Sequence, residues 1–180
     1  MEAAFTLICE KGIKQTSITD ITREAGVSVG TLYKYYPNKK EVFLAAYDMW
    51  NRNLFTHSFG VWQKFDSPFA LREFIEASLD AAVQDHLFPK RAHDELMEFV
   101  YSDAEFRRIY NKCMLRSVDL ALPCLAKLGL SVPNIREKLH LVINLMELYA
   151  HEVAYHDTEE LDYSKIRESI IEAISTIMFR

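Results

Sequence analysis

Several features are scarce in this chain of 180 residues. Its three cysteines form no C-x-x-C pair, which argues against a disulfide framework and a structural zinc site. Only five glycines occur, and none sets up a phosphate-binding loop. No apolar stretch has the length of a membrane span, and the N-terminus has no pattern of an export signal. We therefore expect a cytoplasmic, globular protein that does not enter a membrane.

Catalytic and metal-binding patterns are missing as well. His151 and His156 are one residue too far apart for the zinc-protease pattern, which needs both imidazoles one helical turn apart. His86, His93 and Asp94 could approach one another, but their spacing favours no metal site. No Ser/His/Asp pattern is present. We predict neither an enzyme nor a bound metal or cofactor.

The charge is unevenly distributed along the chain. Residues 1–47 carry six Lys and Arg against five Asp and Glu, while the rest of the chain carries 15 against 21. The lysines of the N-terminal part cluster between Lys34 and Lys40. An acidic remainder is repelled by phosphate, so this distribution would direct the N-terminal part towards a nucleic acid.

Helical periodicity runs almost throughout, and no segment alternates in the way a strand does. A first helix is predicted from Glu2 to Lys11, and the fourth is predicted to run from Asn38 to about His57. Serine and proline signals predict the starts of the later helices at Ser67-Pro68, Pro89, Ser102, Pro133 and Ser164.

Residues 16–47 carry the most informative pattern. Ser17 followed by Asp20 predicts the start of a short helix, and Ser28 predicts the start of another. Between them, Gly26 can adopt the left-handed conformation of a tight turn, and we expect Val27 to pack between the two helices. Together these features predict a helix-turn-helix.

The same residues resemble a known family. The segment from Ser17 to Glu41, SITDITREAGVSVGTLYKYYPNKKE, is similar to the DNA-binding signature of the TetR family of bacterial regulators. The resemblance covers about the first 47 residues. It implies that residues 28–35 enter the major groove of double-stranded DNA, with Leu32 and Tyr36 facing inward. The predicted DNA contacts are Thr16, Ser17, Ser28, Val29, Gly30, Thr31, Tyr33, Lys34, Tyr35 and Lys39.

Side-chain chemistry assigns roles within this set. Val29, Gly30 and Thr31 are small enough to meet a thymine methyl or a base edge. Tyr33 and Lys34 reach either a base or a phosphate. Phosphate contacts are predicted for Tyr35, for Lys39 and for the helix start at Thr16-Ser17.

The C-terminal helices are apolar on more than one face. From Pro133 onward one stripe contains Val142, Met146 and Tyr149, and another contains Leu141, Leu145 and Leu148. Helices that are hydrophobic on two faces must be buried on both, which indicates a partner subunit. The resemblance likewise implies a homodimer through the last two long helices. The predicted interface residues are Val142, Met146, Tyr149, Val153, Ile170, Ile174 and Ile177.

Large side chains are frequent between these two parts. Most of them suit an ordinary aromatic core, but family resemblance also implies a pocket for a small apolar or amphipathic effector. Its predicted lining residues are Trp50, Trp62, Phe74, Tyr101, Tyr110 and Met114. The fold prediction is therefore all-α, with a three-helix helix-turn-helix domain (1–47) joined by the long fourth helix to a helical effector-binding and dimerisation domain (48–180).

The sequence favours a sequence-specific DNA-binding transcriptional regulator. The expected form is a homodimeric repressor that an effector releases from a near-palindromic operator. One alternative is a DNA-binding dimer without an effector, such as a nucleoid or division-linked protein. A third is an enzyme or carrier that uses the aromatic part, which no nucleophile–base pattern supports.

Overall fold

The structure is a computed structural model, and it describes residues 1–53, 56–65, 71–86, 89–155 and 160–179. Within these residues the chain forms ten α-helices and no strand, which confirms the predicted all-α class. The helices are α1 (Glu2–Lys11), α2 (Ile18–Glu24), α3 (Val29–Tyr35), α4 (Lys39–Asn53), α5 (Thr56–Trp62), α6 (Leu71–Asp85), α7 (Lys90–Ser102), α8 (Ala104–Lys127), α9 (Ile135–Tyr155) and α10 (Tyr163–Phe179).

Most helix starts follow the caps that the sequence predicts. Ser17 forms a reciprocal capping box with Asp20, and the Asn38 side chain accepts the N–H of Glu41 at 3.0 Å. At α8, however, Asp103 accepts the N–H groups of Glu105 and Phe106, whereas Ser102 donates to a carbonyl of α7. The prediction that Ser102 caps α8 is therefore wrong, because its hydroxyl bonds backwards along its own helix.

One further helix prediction needs correction, and another lies partly outside the described residues. The fourth helix is described from Lys39 to Asn53 and helical residues resume at Thr56, but residues 54–55 between them are not described, so the predicted end near His57 stays a prediction. At α10, the Asp162 carboxylate accepts from the backbone N–H of Ser164 at 3.0 Å, so Asp162 and not Ser164 serves as the cap. The start predicted at Ser67-Pro68 lies outside the described residues.

The chain divides into two compact units. The first comprises Met1–Asn53 with Phe88–Cys113, and the second comprises Leu54–Leu87 with Met114–Arg180. The first unit therefore contains the predicted 1–47 domain together with α7 and the beginning of α8. The functional boundary at residue 47 remains a prediction.

A single apolar core holds the first unit together. Ala4 of α1, Val42 of α4 and Leu96 of α7 are at most 5% exposed within it. The rings of Tyr47 and Phe106 lie 5.8 Å apart, which joins α4 to the start of α8. Helix α7, which is distant in sequence, thus forms part of the support beneath the helix-turn-helix.

The second unit is built on α6, α9 and α10. The Arg167 guanidinium of α10 lies 2.7 Å from Asp80 of α6 and 3.4 Å from the Tyr149 hydroxyl of α9, so it links all three helices. The indole of Trp62 donates to the Ser78 hydroxyl at 3.0 Å, which satisfies a buried polar pair. In the part of the chain that the structure describes, no helix is long and apolar enough to cross a bilayer.

Candidate nucleic-acid interface

The turn between α2 and α3 depends on Gly26. Its φ of 65° lies in the left-handed region that glycine adopts without strain. The following residue, Val27, donates its N–H to the carbonyl of Thr22 at 3.0 Å, which closes the end of α2. The Ser28 hydroxyl then accepts the N–H of Thr31 at 3.0 Å and starts α3. Local hydrogen bonds therefore set the geometry of this helix-turn-helix.

One feature of the turn differs from the expectation. Val27 is 41% exposed, so it does not pack between the two helices. The side chains that do join α2 to α3 and the core are Ile21, at 1% exposed, and Leu32, at 7%. Val27 instead adds apolar surface at the edge of the helix-turn-helix.

Helix α3 turns almost its whole surface outward. Leu32 is its single buried residue, and Val29 and Tyr33 remain 40% and 44% exposed although both are largely apolar. The other exposed predicted contacts on or beside this helix are Ser28, Gly30, Thr31, Lys34 and Tyr35. An isolated helix of seven residues has little stability of its own. Such a helix, held by one core side chain and its cap, is suited to present side chains to another molecule.

The space around Gly30 is open. Among the described residues outside its own helix backbone, the heavy atom nearest to the position of a Cβ is the Ser28 hydroxyl oxygen, at 3.8 Å. A larger side chain would therefore project outward without disturbing the fold. The Thr31 side chain is more constrained, because its hydroxyl is hydrogen-bonded to that of Ser28 at 2.8 Å.

The start of α2 limits how its residues could contact a phosphate. Thr16 is fully buried, and its hydroxyl donates to the carbonyls of Gly12 and Leu7 at 2.7 and 3.2 Å. Its side chain is therefore occupied within the fold, and the predicted contact through the backbone N–H groups of this helix start stays a prediction. The backbone N–H and the hydroxyl of Ser17 both donate to Asp20. Ser17 is exposed, but it acts as a cap in this structure.

Ion pairs determine which lysines of the first unit remain available to bind a phosphate. Lys14 lies 2.6 Å from Glu98, Lys11 lies 2.7 Å from Asp20, and Lys40 pairs with Asp103 and Glu105. The hydrogen bond to Asp103 and the one to Glu105 raise the pKa of Lys40 above its ordinary value. Within the described residues, no carboxylate partner is found for Lys34 or Lys39.

The Lys39 ammonium lies over the ring of Phe43, 5.1 Å from its centre. This contact holds the side chain at the start of α4 without neutralising its charge. Lys34 is exposed on α3 itself. The free positive charge of the helix-turn-helix is therefore concentrated beside α3, which the net charge of residues 1–47 does not reveal.

The predicted effector-pocket residues are divided between the two units. Trp50, Tyr101 and Tyr110 belong to the first unit, whereas Trp62, Phe74 and Met114 belong to the second. Tyr101 is 74% exposed, which gives its assignment no support. Trp50 stacks on Phe5 at 5.5 Å, and the other three, which lie in the second unit, are buried.

Two cavities are lined by other residues. The first unit contains a cavity of about 270 Å³ beside the aromatic rings of Phe43, Phe99 and Phe106. The second contains a more open one of about 550 Å³ between α5 and α6. None of the six predicted residues lines either cavity, so the lining of an effector pocket stays a prediction without structural support.

The predicted dimer interface also needs correction. Val142, Met146, Tyr149 and Ile174 are at most 6% exposed, because they form the core of the second unit itself. The outward stripe of α9 is the other one, with Leu141 52% and Leu148 55% exposed. Of the predicted residues, Val153, Ile170 and Ile177 keep exposed or partly exposed surface.

Residues 1–46 match the model of bacterial regulatory proteins of the tetR family. The resemblance predicted from residues 17–41 is thereby confirmed for this N-terminal segment. The match covers the helix-turn-helix and the first turns of α4.

Curated relatives share the same part of the chain. An uncharacterized HTH-type transcriptional regulator of Bacillus subtilis (strain 168) is 32% identical over 68 residues, which are 38% of this chain and 23% of that protein. An uncharacterized HTH-type transcriptional regulator from the lacX 3' region of Lactococcus lactis subsp. lactis is 27% identical over 129 residues, or 69% of this chain and 54% of that protein. The matched parts thus span about a quarter to a half of these relatives. Both names describe transcriptional regulators.

Solved structures share the fold over nearly the whole chain. A protein assigned as a transcriptional regulator of Streptomyces coelicolor A3(2) superposes with a TM-score of 0.72 at 18% identity, covering 99% of this chain and 95% of that one. A protein assigned as a transcriptional regulator of Saccharomonospora viridis, in complex with choline, has a TM-score of 0.65 at 17% identity, covering 97% and 92%. At these identities the similarity establishes the fold alone.

Proposed function

We propose that this protein is a DNA-binding transcriptional regulator that inserts α3 into the major groove of a specific operator. The observation that carries the proposal is the exposure of α3, where Leu32 alone is buried. The family match of residues 1–46 supports it independently. An exposed helix behind a tight turn is the element that helix-turn-helix proteins place in the groove.

The residues of α3 suit different parts of the duplex. Val29, Gly30 and Thr31 form its first turn, where apolar and small groups can meet base edges and thymine methyls. Tyr35, at 76% exposed, and Lys39, for which the described residues offer no carboxylate partner, suit phosphate oxygens on the flanking backbone. Tyr33 and Lys34 lie between these groups and could reach either.

A homodimer supplies the second recognition helix. Leu141 and Leu148 belong to an exposed apolar stripe on α9, and the partly exposed Leu145 lies between them. Arg167 of α10 lies 3.4 Å from the Tyr149 hydroxyl of α9, so the parts of the two helices that carry Ile170 and Leu148 are near each other. Two copies of this surface, Leu141, Leu145, Leu148, Ile170 and Ile177, would form a four-helix contact.

The symmetry of such a dimer constrains the operator. Two recognition helices related by a two-fold axis read a near-palindromic site, with half-site centres at least about 34 Å apart. Each α3 then enters a separate major groove on one face of the DNA.

Regulation by a small effector is the second part of the proposal. The Saccharomonospora viridis structure, with its bound choline, is a protein of this fold that accommodates a small organic molecule. In this chain α8 begins in the first unit and ends in the second, and at its start Asp103 and Glu105 hold Lys40, the neighbour of Lys39. A ligand in the second unit that displaced α8 would therefore act on the phosphate-binding end of α4. We propose that the effector releases the repressor in this way, with a coupling of about 1–3 kcal/mol.

Selection from random duplex DNA tests the DNA-binding proposal. The purified protein should enrich a near-palindromic sequence and bind it about 10³-fold or more tightly than random duplex at the same salt concentration. A library of small organic compounds, added to the selected complex, then tests release. Equal affinity for selected and random duplex would overturn sequence-specific regulation.

A further inference from the structure

Three titratable side chains converge inside the second unit. His86 follows the last turn of α6, while Glu147 and His151 lie one turn apart on α9. Their ligand-capable atoms all lie within 4.8 Å of one another. We propose that His86, Glu147 and His151 form a binding site for a divalent transition-metal ion of the zinc class. This site does not depend on the proposed DNA-binding function.

The donor set decides the class of ion. Two imidazoles with one carboxylate are the ligands that Zn²⁺ and neighbouring first-row ions prefer, whereas Mg²⁺ and Ca²⁺ prefer sets of oxygen ligands. Ligand bonds of about 2.0–2.2 Å place the donor atoms of a tetrahedral site about 3.4 Å apart. The His86 Nε2 to Glu147 Oε2 distance of 3.1 Å is already close to that value. The donor atom of His151 lies within 4.8 Å of the other two.

A hydrogen bond to the backbone fixes the orientation of the His86 ring. Its Nδ1 lies 2.8 Å from the carbonyl oxygen of Ala82, and a carbonyl only accepts, so Nδ1 carries the proton of this contact. The other ring nitrogen, Nε2, is thereby directed towards Glu147. The hydroxyl of Tyr155 donates to the backbone carbonyl of His86 at 2.8 Å and holds that residue against α9. Metal-ligating histidines are typically oriented by such a second hydrogen bond to a carbonyl.

Burial makes an ionised Glu147 carboxylate energetically unfavourable unless a positive charge lies beside it. The side chains of His86 and Glu147 are 8% and 10% exposed, so neither is well solvated. A positive charge beside the Glu147 carboxylate offsets the cost of burying it. A divalent cation would take that position, and the partly exposed His151 offers an entry path.

The arrangement of the two imidazole rings agrees with both rings binding one metal ion. The imidazoles of His86 and His151 have centroids 4.7 Å apart at an interplanar angle of 75°, so they meet at an edge and do not stack in parallel. Rings that share one ion point their nitrogens towards a common centre and cannot be parallel stacked. The simpler arrangement is a buried hydrogen bond between His86 and Glu147 with no ion, and titration with metal separates the two.

The test is a titration of chelator-treated full-length protein with Zn²⁺ and, separately, with Co²⁺. Calorimetry should give one Zn²⁺ per chain, and Co²⁺ should develop visible absorption bands of a low-coordinate nitrogen and oxygen site. Glu147→Gln and His151→Gln should each weaken binding at least tenfold, since even outer-shell changes cost about 10–100-fold. His140→Gln is the matched control, because His140 is an exposed histidine on the same helix.

A measurement on the unaltered chain guards against variants that fail to fold. In protein with isotopically labelled imidazoles, Zn²⁺ should shift the resonances of two of the six histidines. The resonance that His140→Gln identifies as His140 should not move. The site would be overturned if Zn²⁺ did not bind stoichiometrically, or if the Glu147→Gln and His151→Gln variants bound Zn²⁺ as tightly as the unaltered protein. A Zn²⁺-induced shift of the His140 resonance in place of two others would also overturn it.

Discussion

The ammonium of Lys40 lies 2.7 Å from a carboxylate oxygen of Asp103. This contact joins the start of α4 to the residue that caps α8, although the two positions are far apart in the sequence. It affects the two lysines of the proposed DNA-binding surface differently, because carboxylates offset the charge of Lys40, whereas the described residues offer Lys39 no carboxylate partner. Two adjacent lysines of the same motif therefore differ in role.

Lys39→Ala should weaken binding to every DNA sequence to a similar degree. The ammonium has no carboxylate partner in the described part of the chain and lies at the start of α4, where a phosphate would pass. Loss of one phosphate contact should lower the slope of log affinity against log salt by about one. Gel-shift titrations at several salt concentrations measure this slope.

Lys127→Ala is the matched control for that experiment. Lys127 is an exposed lysine at the end of α8 in the second unit, and its removal should leave the slope unchanged. A Lys39→Ala effect confined to one operator sequence would make Lys39 a base contact and contradict the phosphate assignment.

Arginine substitutions at Leu141 and Leu148 together should convert the proposed dimer to a monomer. Both leucines are more than half exposed within one chain, so the charges would be tolerated there but would be buried in a dimer. Mass measured by light scattering should fall by half, with little change in helicity by circular dichroism.

Val142→Ala is the contrasting change on the same helix. Val142 is 4% exposed, so truncation should cost on the order of 2 kcal/mol of stability and leave the dimer contact surface intact. An unaltered dimer in the double arginine variant would show that the interface lies elsewhere.

The difference between these two stripes could not be predicted from the sequence. Both stripes of α9 are apolar at helical spacing, and periodicity does not show which one faces α6. The packing of Arg167 against Asp80 and Tyr149 decides the matter, and it depends on contacts between distant segments. By contrast, the helix-turn-helix was predictable, because Ser17, Gly26 and Ser28 act through hydrogen bonds to residues within five positions.

The same reasoning explains two other outcomes. Thr16 matches the family pattern, but its hydroxyl is used by carbonyls at the end of α1, which only the folded chain reveals. His86 meets Glu147 across a long sequence separation. Spacing along the chain had instead suggested His93 and Asp94 as its neighbours, a pair that lies in the other unit.

Acid should destabilise the first unit through Asp20. The hydrogen bond from Lys11, followed by those from the Ser17 hydroxyl and N–H, lowers the pKa of Asp20 well below its ordinary value. Because the folded pKa is lower than the unfolded one, this stabilisation is present above about pH 4 and is lost as the pH falls through the folded pKa. Asp20→Asn should therefore lower the melting temperature at pH 7, and the difference from the unaltered protein should shrink under acid.

Glu24→Gln provides the control for the acid experiment, since Glu24 is an exposed acid just after Asp20 at the end of α2. Its melting curve should follow that of the unaltered protein from pH 7 downward. A melting difference for Asp20→Asn that stays constant with pH would exclude the lowered pKa as its cause.

Cys9 should react slowly with alkylating reagents. Burial raises the pKa of its thiol to about 11, so little thiolate is present at neutral pH. Mass spectrometry after a short treatment with iodoacetamide at pH 7.5 should find Cys9 largely unmodified, with rapid modification only after unfolding. Fast labelling in the native state would contradict this burial.

The central claim is that α3 binds DNA, and Gly30→Leu tests it most directly. The position has open space, so the leucine should leave helicity and melting temperature nearly unchanged while blocking close approach to the groove. Gly60→Leu, at a glycine of α5 that also faces open space, is the matched control. In a binding titration against the selected operator, we predict loss of specific binding for Gly30→Leu and normal affinity for Gly60→Leu. Normal operator affinity in a folded Gly30→Leu protein would contradict the account.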